Sequence, residues 1–174
     1  EYQTPRKYFV DIEVEITEDM AAALDTENAR NRVLSIGIAT DKNKIIVLGL
    51  DPLTSEQQAS IYKKINSYFA RTGDEWTFKY KQFPSEYDML YTFFKELGPR
   101  MPVITGWNWL GYDWPYLLNR AKRIGIDPKM ISPGNYLMGK SQLPMHLLMI
   151  DYLDIYKKWD RVIKIKEINR LDYV

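Results

Sequence analysis

Two acidic residues separated by one position are the first candidates for chemistry. Asp11 and Glu13 lie in segment 8–16, where hydrophobic and polar residues alternate. This alternation predicts a β-strand, on which residues two positions apart share a face and lie roughly 6 to 7 Å apart. Two carboxylates at that separation can converge on one cation. A solvent-exposed strand face explains the pattern equally, and Asp25 and Glu27 repeat the spacing in a polar segment.

A third carboxylate, Asp113, follows a short apolar segment in an aromatic-rich stretch. Residues 101–105 predict a strand buried on both faces, Gly106 ends it, and Pro115 predicts the first turn of a helix. The intervening loop then places Asp113 just ahead of the helix, whose N-terminal dipole favours a carboxylate. On these residues alone, Asp113 could equally be a helix-capping acid and Asn108 a turn residue.

The composition restricts which chemistries are available. The 174 residues include no cysteine and one histidine, His146, which excludes thiolate metal sites, cysteine nucleophiles and two-histidine mechanisms. Any bound metal would be held mainly by carboxylate oxygens, and these favour hard cations such as magnesium or manganese. We expect His146 to be structural or exposed, because it has no acidic neighbour at ligand spacing. Phosphate-loop and serine-hydrolase motifs do not occur.

The charge balance is nearly neutral. Lys and Arg number 24 and Asp and Glu number 23, so the net charge of +1 lacks the excess of a dedicated nucleic-acid binder. Two basic clusters could contact phosphates, although interleaved charges usually only solvate a surface. Their members are Arg120, Lys122, Arg123, Lys157, Lys158, Arg161, Lys164 and Lys166. No apolar run approaches the ~20 residues that span a bilayer, and no secretory signal is present, so we expect a soluble cytoplasmic protein.

The remaining pattern predicts the elements that position these residues. Further β-rich runs cover 33–40 and 44–50, separated by a turn-forming Asp-Lys-Asn, which predicts an antiparallel three-strand meander with 8–16. Helical spacing follows over 55–72, 85–97 and 115–124. Thr54 or Ser55 can cap the first helix, with a capping box from Ser55 to Gln58. Extended segments are predicted over 76–83, 101–105 and 147–156, loops over 17–31 and 127–144, and a last helix from 163. This order predicts a mixed α/β fold.

The two acidic motifs resemble those of a known family. Tyr8-Phe9-Val10-Asp11-Ile12-Glu13 is similar to the first motif of the 3′–5′ proofreading exonuclease domain of family B DNA polymerases. Thr105-Gly106-Trp107-Asn108 through Tyr112-Asp113 is similar to the second. The likeness is strongest with polymerases of T-even-like bacteriophages, in which segments similar to 152–158 and 171–174 follow. It covers nearly the whole chain.

The resemblance implies a ribonuclease H-like fold, a mixed sheet with flanking helices, and a two-metal mechanism. Asp11, Glu13 and Asp113 would be the catalytic and metal-binding residues for two divalent ions, Mg²⁺ or Mn²⁺, roughly 3.5 to 4 Å apart. One ion would generate the attacking hydroxide and the other would stabilise the departing 3′ oxygen. Asn108 and Tyr112 would bind the terminal nucleotides of a single-stranded DNA 3′ end. The remaining domains of a parent polymerase would be partners, in the host cytoplasm if the chain is phage-encoded.

The resemblance also implies that one element is missing. The third motif, Tyr-x-x-x-Asp, lies in the family beyond the Leu-Asp-Tyr segment 171–173, so we expect residues 1–174 to be one exonuclease domain truncated before it. Tyr156 and Asp160 have the spacing of this motif but fall in the predicted strand upstream, and we interpret them as a fortuitous match. The piece alone would be weakly active or inactive. A stand-alone exonuclease of the same superfamily, or an inactive nucleic-acid-binding module with this fold, are the alternatives.

Overall fold

The structure, a computed structural model, describes residues 4–163, with side chains as far as residue 159. Six strands form the main sheet in the order β4-β3-β2-β1-β5-β8. They are β1 (Lys7–Val14), β2 (Val33–Thr40), β3 (Lys44–Gly49), β4 (Thr77–Gln82), β5 (Val103–Gly106) and β8 (Leu148–Asp151). β1, β2 and β3 are antiparallel neighbours, whereas β4, β5 and β8 join in parallel. The predicted combination of a meander with parallel strands is confirmed.

Five α-helices accompany the sheet in the described part of the chain. They are α1 (Met20–Leu24), α2 (Ser55–Phe69), α3 (Glu86–Thr92), α4 (Trp114–Arg123) and α5 (Tyr152–Ile163). A π-helical segment, Phe93–Leu97, extends α3, and a two-stranded ribbon of β6 (Leu137–Met138) and β7 (Leu143–Pro144) precedes β8. Within residues 4–163, no helix is both long and apolar enough to cross a membrane.

The hydrophobic core lies between one face of the sheet and the helices α3 and α4. Every second side chain of β1 enters it, beginning with Val10 and Ile12, which are 1% and 6% exposed. Aromatic side chains from the helical side, including Phe94 and Trp114, belong to the same cluster. The opposite face of β1 is exposed. The alternation in the sequence therefore predicted correctly which face of β1 is buried.

Several predicted boundaries were wrong. Segment 17–31 is not wholly a loop, because Asp19 accepts a hydrogen bond from the Ala21 amide and caps α1. The β-run predicted over 147–156 stops at Asp151 and α5 begins at Tyr152, so Tyr156 lies on a helix. Residues 164–174, where a last helix was expected, lie outside the described part.

The capping residue of α2 is Thr54, not Ser55. Thr54 has the extended backbone of an N-cap, and its hydroxyl accepts from the Gln57 amide at 3.2 Å. The Gln57 side chain accepts from the Thr54 amide in return at 2.8 Å. The capping box therefore begins one residue earlier than Ser55 and Gln58, because the first residue after the extended backbone of Thr54 is already helical.

Candidate active site

The first acidic pair lies on the exposed face of β1. Asp11 and Glu13 are two residues apart on this strand, and Asp11 pairs with Gly37 of β2. The pKa of Asp11 is raised, first by partial burial and then by the negative charge of Glu13. The two carboxylates therefore interact electrostatically, as their spacing predicts.

Asp113 reaches β1 from a different part of the chain. Its side chain is 3% exposed, and its Oδ1 accepts a hydrogen bond from the Ile12 amide at 3.1 Å. β5 pairs with β1 only along Lys7–Phe9, so the Ile12 amide takes a side-chain acceptor instead of a strand partner. The carboxylate of Asp113 is thereby attached to the strand between Asp11 and Glu13.

The helical segment around Asp113 begins earlier than predicted. A π-helical turn, Trp109–Asp113, which we call the π turn, continues directly into α4. Asp113 makes no side-chain capping hydrogen bond to α4. Its interpretation as a helix-capping acid is therefore wrong, and so is its placement in a loop ahead of the helix.

Burial and neighbouring charge raise the pKa of Asp113 to about 7. Burial has the largest effect, the charges of Asp11 and Asp151 act in the same direction, and the hydrogen bond from Ile12 opposes them. A carboxylate in this position repels its acidic neighbours when it ionises. A cation bound beside it would offset that repulsion.

The donor chemistry of these residues fits a hard divalent cation. Asp11, Glu13 and Asp113 offer only carboxylate oxygens, and the charges of Glu13 and Asp11 raise the pKa values of their respective neighbours Asp11 and Asp113. Among the side chains that the structure describes, residues 4–159, no group of three or more Asp, Glu, His or Cys is placed so that it could hold a metal ion. The geometry thus establishes the Asp113 contact with β1, while the metal-binding roles stay predictions.

The predicted substrate-binding residues lie on the π turn and just before it. Asn108 has a left-handed backbone, with φ of 58°, and its carbonyl accepts from the Gly111 and Tyr112 amides. A β-carbon at position 111 would collide with the end of the Asn108 side chain, so any other residue there would displace that side chain. The Tyr112 hydroxyl donates to the Ala23 carbonyl at 2.7 Å. Burial, followed by Tyr116 and the nearby acids, raises the pKa of Tyr112 to about 12, so the phenol stays protonated.

A groove of about 550 Å³ runs along the exposed sheet face beside Asp11. Its aromatic lining residues are Phe9, Trp107 and Tyr152. Phe9 is 40% exposed and Tyr152 is 50% exposed, and their rings meet edge to face at a centroid distance of 6.3 Å. The sequence interpretation did not assign Phe9 or Tyr152 to the site. The alternation of β1 contained the signal for Phe9, which shares a face with Asp11.

Two further expectations concern basic residues and the fortuitous third motif. Arg120 is not a surface cation: it is 8% exposed and ion-paired with Glu86 at 2.7 Å. The favoured interpretation of Arg120 as a solvating surface charge is therefore wrong, and its guanidinium is engaged inside the protein instead of being available to phosphates. Tyr156 packs against Trp107 at a ring-centroid distance of 5.4 Å, and the side chain of Asp160 lies outside the described residues.

Comparison with known proteins links this geometry to a family. The family described as "DNA polymerase family B, exonuclease domain" matches residues 5–158. The DNA polymerase catalytic subunit of Epstein-Barr virus (strain B95-8) is 36% identical over 74 residues, 41% of this chain and 7% of that protein. The DNA-directed DNA polymerase of Enterobacteria phage T4 is 34% identical over 93 residues, 46% of this chain and 10% of that protein.

The DNA polymerase catalytic subunit of Alcelaphine herpesvirus 1 (strain C500) is 33% identical over 95 residues, 45% of this chain and 9% of that protein. The aligned segments make up a tenth or less of each of these three relatives. The family match, in contrast, includes both acidic motifs and all six strands of the main sheet. This chain belongs to the exonuclease domain family of family B DNA polymerases.

Proposed function

We propose that the chain is the proofreading 3′–5′ exonuclease domain of a replicative DNA-directed DNA polymerase. It would hydrolyse the 3′-terminal phosphodiester of single-stranded DNA and release a nucleoside monophosphate. The observation that carries this proposal is the hydrogen bond from the Ile12 amide to Asp113, because it joins the two acidic motifs at one strand. Family membership supports the exonuclease assignment.

Asp11, Glu13 and Asp113 are the proposed catalytic and metal-binding residues. Divalent cations such as Mg²⁺ or Mn²⁺ would supply positive charge for the scissile phosphate and acidify a bound water. The chain itself contributes the carboxylates and their placement. The hydrogen bond from Ile12 holds Asp113 against β1. Burial first, and then the charges of Asp11 and Asp151, raise the pKa of Asp113, and bound cations would offset those charges.

Asn108 and Tyr112 are the proposed substrate-binding residues. The Tyr112 hydroxyl is engaged with the Ala23 carbonyl, which leaves the ring to border the site. Asn108 begins the π turn and sets the position of the residues that follow it. Both residues would therefore orient the terminal nucleotides and take no part in proton transfer.

The groove beside Asp11 is the proposed path for the unpaired bases. Aromatic side chains bind single-stranded DNA by stacking, which contributes about 1 to 3 kcal/mol per base and tolerates any sequence. Phe9 and Tyr152 are partly exposed there, next to the carboxylate that would face the backbone. Sequence-tolerant binding suits an enzyme that removes whichever nucleotide was misincorporated.

The proposal extends to the setting of the domain. The third motif of the family would lie beyond residue 174, and other domains of the polymerase would be its partners in an intracellular compartment. A stand-alone exonuclease of the same superfamily is one alternative. A binding module without catalysis is the other, and the convergence of Asp113 on the β1 acids disfavours it, because repelling carboxylates do not help to bind DNA.

Substitution of the proposed catalytic acids tests this assignment. In the full-length polymerase, Asp11→Ala and Asp113→Asn should each lower degradation of single-stranded DNA by roughly 10²- to 10³-fold or more. Asp113→Asn keeps an oxygen acceptor for the Ile12 amide, so its thermal melting should remain cooperative. Glu27→Ala, in the exposed repeat of the Asp-x-Glu spacing, is the matched control and should be fully active. Undiminished degradation by both variants would overturn the proposal.

A further inference from the structure

Asp151 is a buried acid that the proposed chemistry does not use. It ends β8 and is 7% exposed. In the parallel pairing of β5 with β8, Asp151 stands opposite Gly106, the last residue of β5. Its carboxylate is therefore placed where β5 stops and the chain turns towards Asp113.

Both carboxylate oxygens of Asp151 accept backbone hydrogen bonds. Oδ2 accepts from the Leu110 amide at 2.9 Å, and Oδ1 accepts from the Leu153 amide at 2.9 Å. Leu153 is the second residue of α5, so this bond is that of a helix-capping acid. Leu110 belongs to the π turn, 41 positions away in the chain. One carboxylate thus joins the start of α5 to the turn that ends at Asp113.

Only a short side chain with two acceptor oxygens can serve both amides. Asparagine has one acceptor, and its amino group would face an N–H donor at the other position. Serine caps helices as well as aspartate does, but its one oxygen sits too close to the backbone to serve both amides. Losing the acceptor for either amide leaves that donor unsatisfied and weakens the attachment of its segment.

We propose that Asp151 is a positioning residue that fixes the π turn and so holds Asp113 at β1. The turn is attached to the sheet at two points: near its start by Leu110 to Asp151, and at its end by Asp113 to the Ile12 amide. Trp109, the first residue of the π turn, is fully buried. This inference rests on the proposed exonuclease function, since Asp151 would act only through Asp113.

Asp151→Ser is the most informative variant, because serine retains the cap of α5 and removes the acceptor for Leu110. In the full-length polymerase, its single-turnover rate of 3′-nucleotide removal should fall roughly 10- to 100-fold, the effect of displacing a catalytic group by about 1 Å. Its affinity for a single-stranded oligonucleotide, measured without divalent ions, should change less than about threefold. Asp154→Asn, an exposed acid three residues along α5, is the charge-matched control.

Hydrogen exchange on the same variants provides a readout independent of activity. Asp151→Ser should accelerate exchange of the Leu110 amide while the Leu153 amide keeps its protection. Asp151→Asn should accelerate exchange of one of these two amides. Unchanged exchange at Leu110, an unchanged rate, or a parallel loss of DNA binding and folding would each overturn the positioning role. Full activity of Asp11→Ala would instead overturn the proposed function, and the exchange result would still stand.

Discussion

The helices α2 and α4 are attached to the same sheet in opposite ways. α4 has six buried residues, whereas α2 has none. α4 lies beside the candidate site and belongs to the main hydrophobic core. α2 lies along the outer edge with β4 and depends on local interactions. The comparison shows that helix burial is concentrated next to Asp113.

Side chains on one face of the π turn and α4 donate hydrogen bonds to a segment that is distant in the sequence. The donors follow helical spacing and bind backbone carbonyls in the segment 23–31. They are Tyr112 to Ala23, Tyr116 to Asn31, Asn119 to Thr26, and Arg120 to Ala29 and Arg30. These carbonyls are buried or partly buried, so the side chains supply donors that water cannot fully provide there. Segment 23–31 is therefore attached to the π turn and α4 beside the candidate site.

The corresponding attachments of α2 are few and mostly local. The Asn66 side chain donates to the Trp76 carbonyl at 3.0 Å and accepts from the Trp76 amide at 2.8 Å. Phe69 stacks on the Trp76 ring at a centroid distance of 4.4 Å. Tyr68, near the end of α2, is 80% exposed. Variants that disrupt each helix should therefore have very different effects.

The largest effect should come from Arg120→Met on α4. Arg120 forms a bidentate ion pair with Glu86, with both side chains 9% exposed, and donates to the Arg30 carbonyl at 2.6 Å. Removing the cation leaves Glu86 as a buried charge without its partner, which costs about 3 to 5 kcal/mol. Urea unfolding at neutral pH should reveal this loss.

Two matched variants test the explanation of the Arg120 effect. Arg123→Met, exposed on the same helix, should change the free energy of unfolding by less than about 0.5 kcal/mol. Adding Glu86→Gln to Arg120→Met should restore part of the loss, because glutamine is neutral and still offers an acceptor to the Val33 amide. An equal loss from Arg120→Met and Arg123→Met would contradict the buried ion pair as the cause of the Arg120 effect.

The attachment of α4 also shows which features the sequence could not predict. The meander and the exposed face with Asp11 and Glu13 followed from periodicity, which is a local signal. The bond from Tyr112 to Ala23 joins residues 89 positions apart, and the contacts of Arg120 span a similar distance. No spacing rule relates such residues. A basic side chain on a helix was therefore interpreted as a surface charge.

The carboxyl of Asp113, buried at the start of α4, should make the stability of the domain depend on pH. The pKa of Asp113 is about 7 in the folded protein against an ordinary value of 3.8. The folded state therefore binds this proton more tightly than the unfolded state does. The contribution of the protonated Asp113 to the free energy of unfolding is fully present below the unfolded pKa and is lost as pH rises through 7. Asp113→Asn cannot ionise and should escape this loss.

Without divalent ions, the stability advantage of Asp113→Asn over the wild type should grow by on the order of 2 kcal/mol between about pH 5 and pH 8. Urea unfolding at each pH measures this difference. Asp74→Asn, at an exposed acid in the loop after α2, is the matched control. A pH-independent difference for Asp113→Asn would mean that its carboxyl is not perturbed in the folded state.

Like the fold, the candidate site could be predicted from the sequence only where the signal is local or carried by a motif. The pairing of Asp11 with Glu13 is local, and the resemblance of the motifs indicated Asp113. The role proposed for Asp151 depends on the parallel register that sets it opposite Gly106, and only the assembled sheet reveals this. The π turn was missed because Pro115 predicts a helix start, although the helical backbone already begins at Trp109.

The smallest effect should come from the cap of α2. Thr54→Ala removes the acceptor for the Gln57 amide and should cost about 1 kcal/mol. Because α2 buries no residue, the loss should appear mainly as faster hydrogen exchange in the first turn of α2, while exchange in α4 remains unchanged.

Ser55→Ala is the matched control, since Thr54 and not Ser55 provides the cap. If Ser55→Ala accelerated exchange in that turn as strongly as Thr54→Ala, the helix would begin one residue later. If Thr54→Ala instead accelerated exchange throughout α4, the two helices would unfold together, and α2 would not be the independent, locally stabilised element that its exposure indicates.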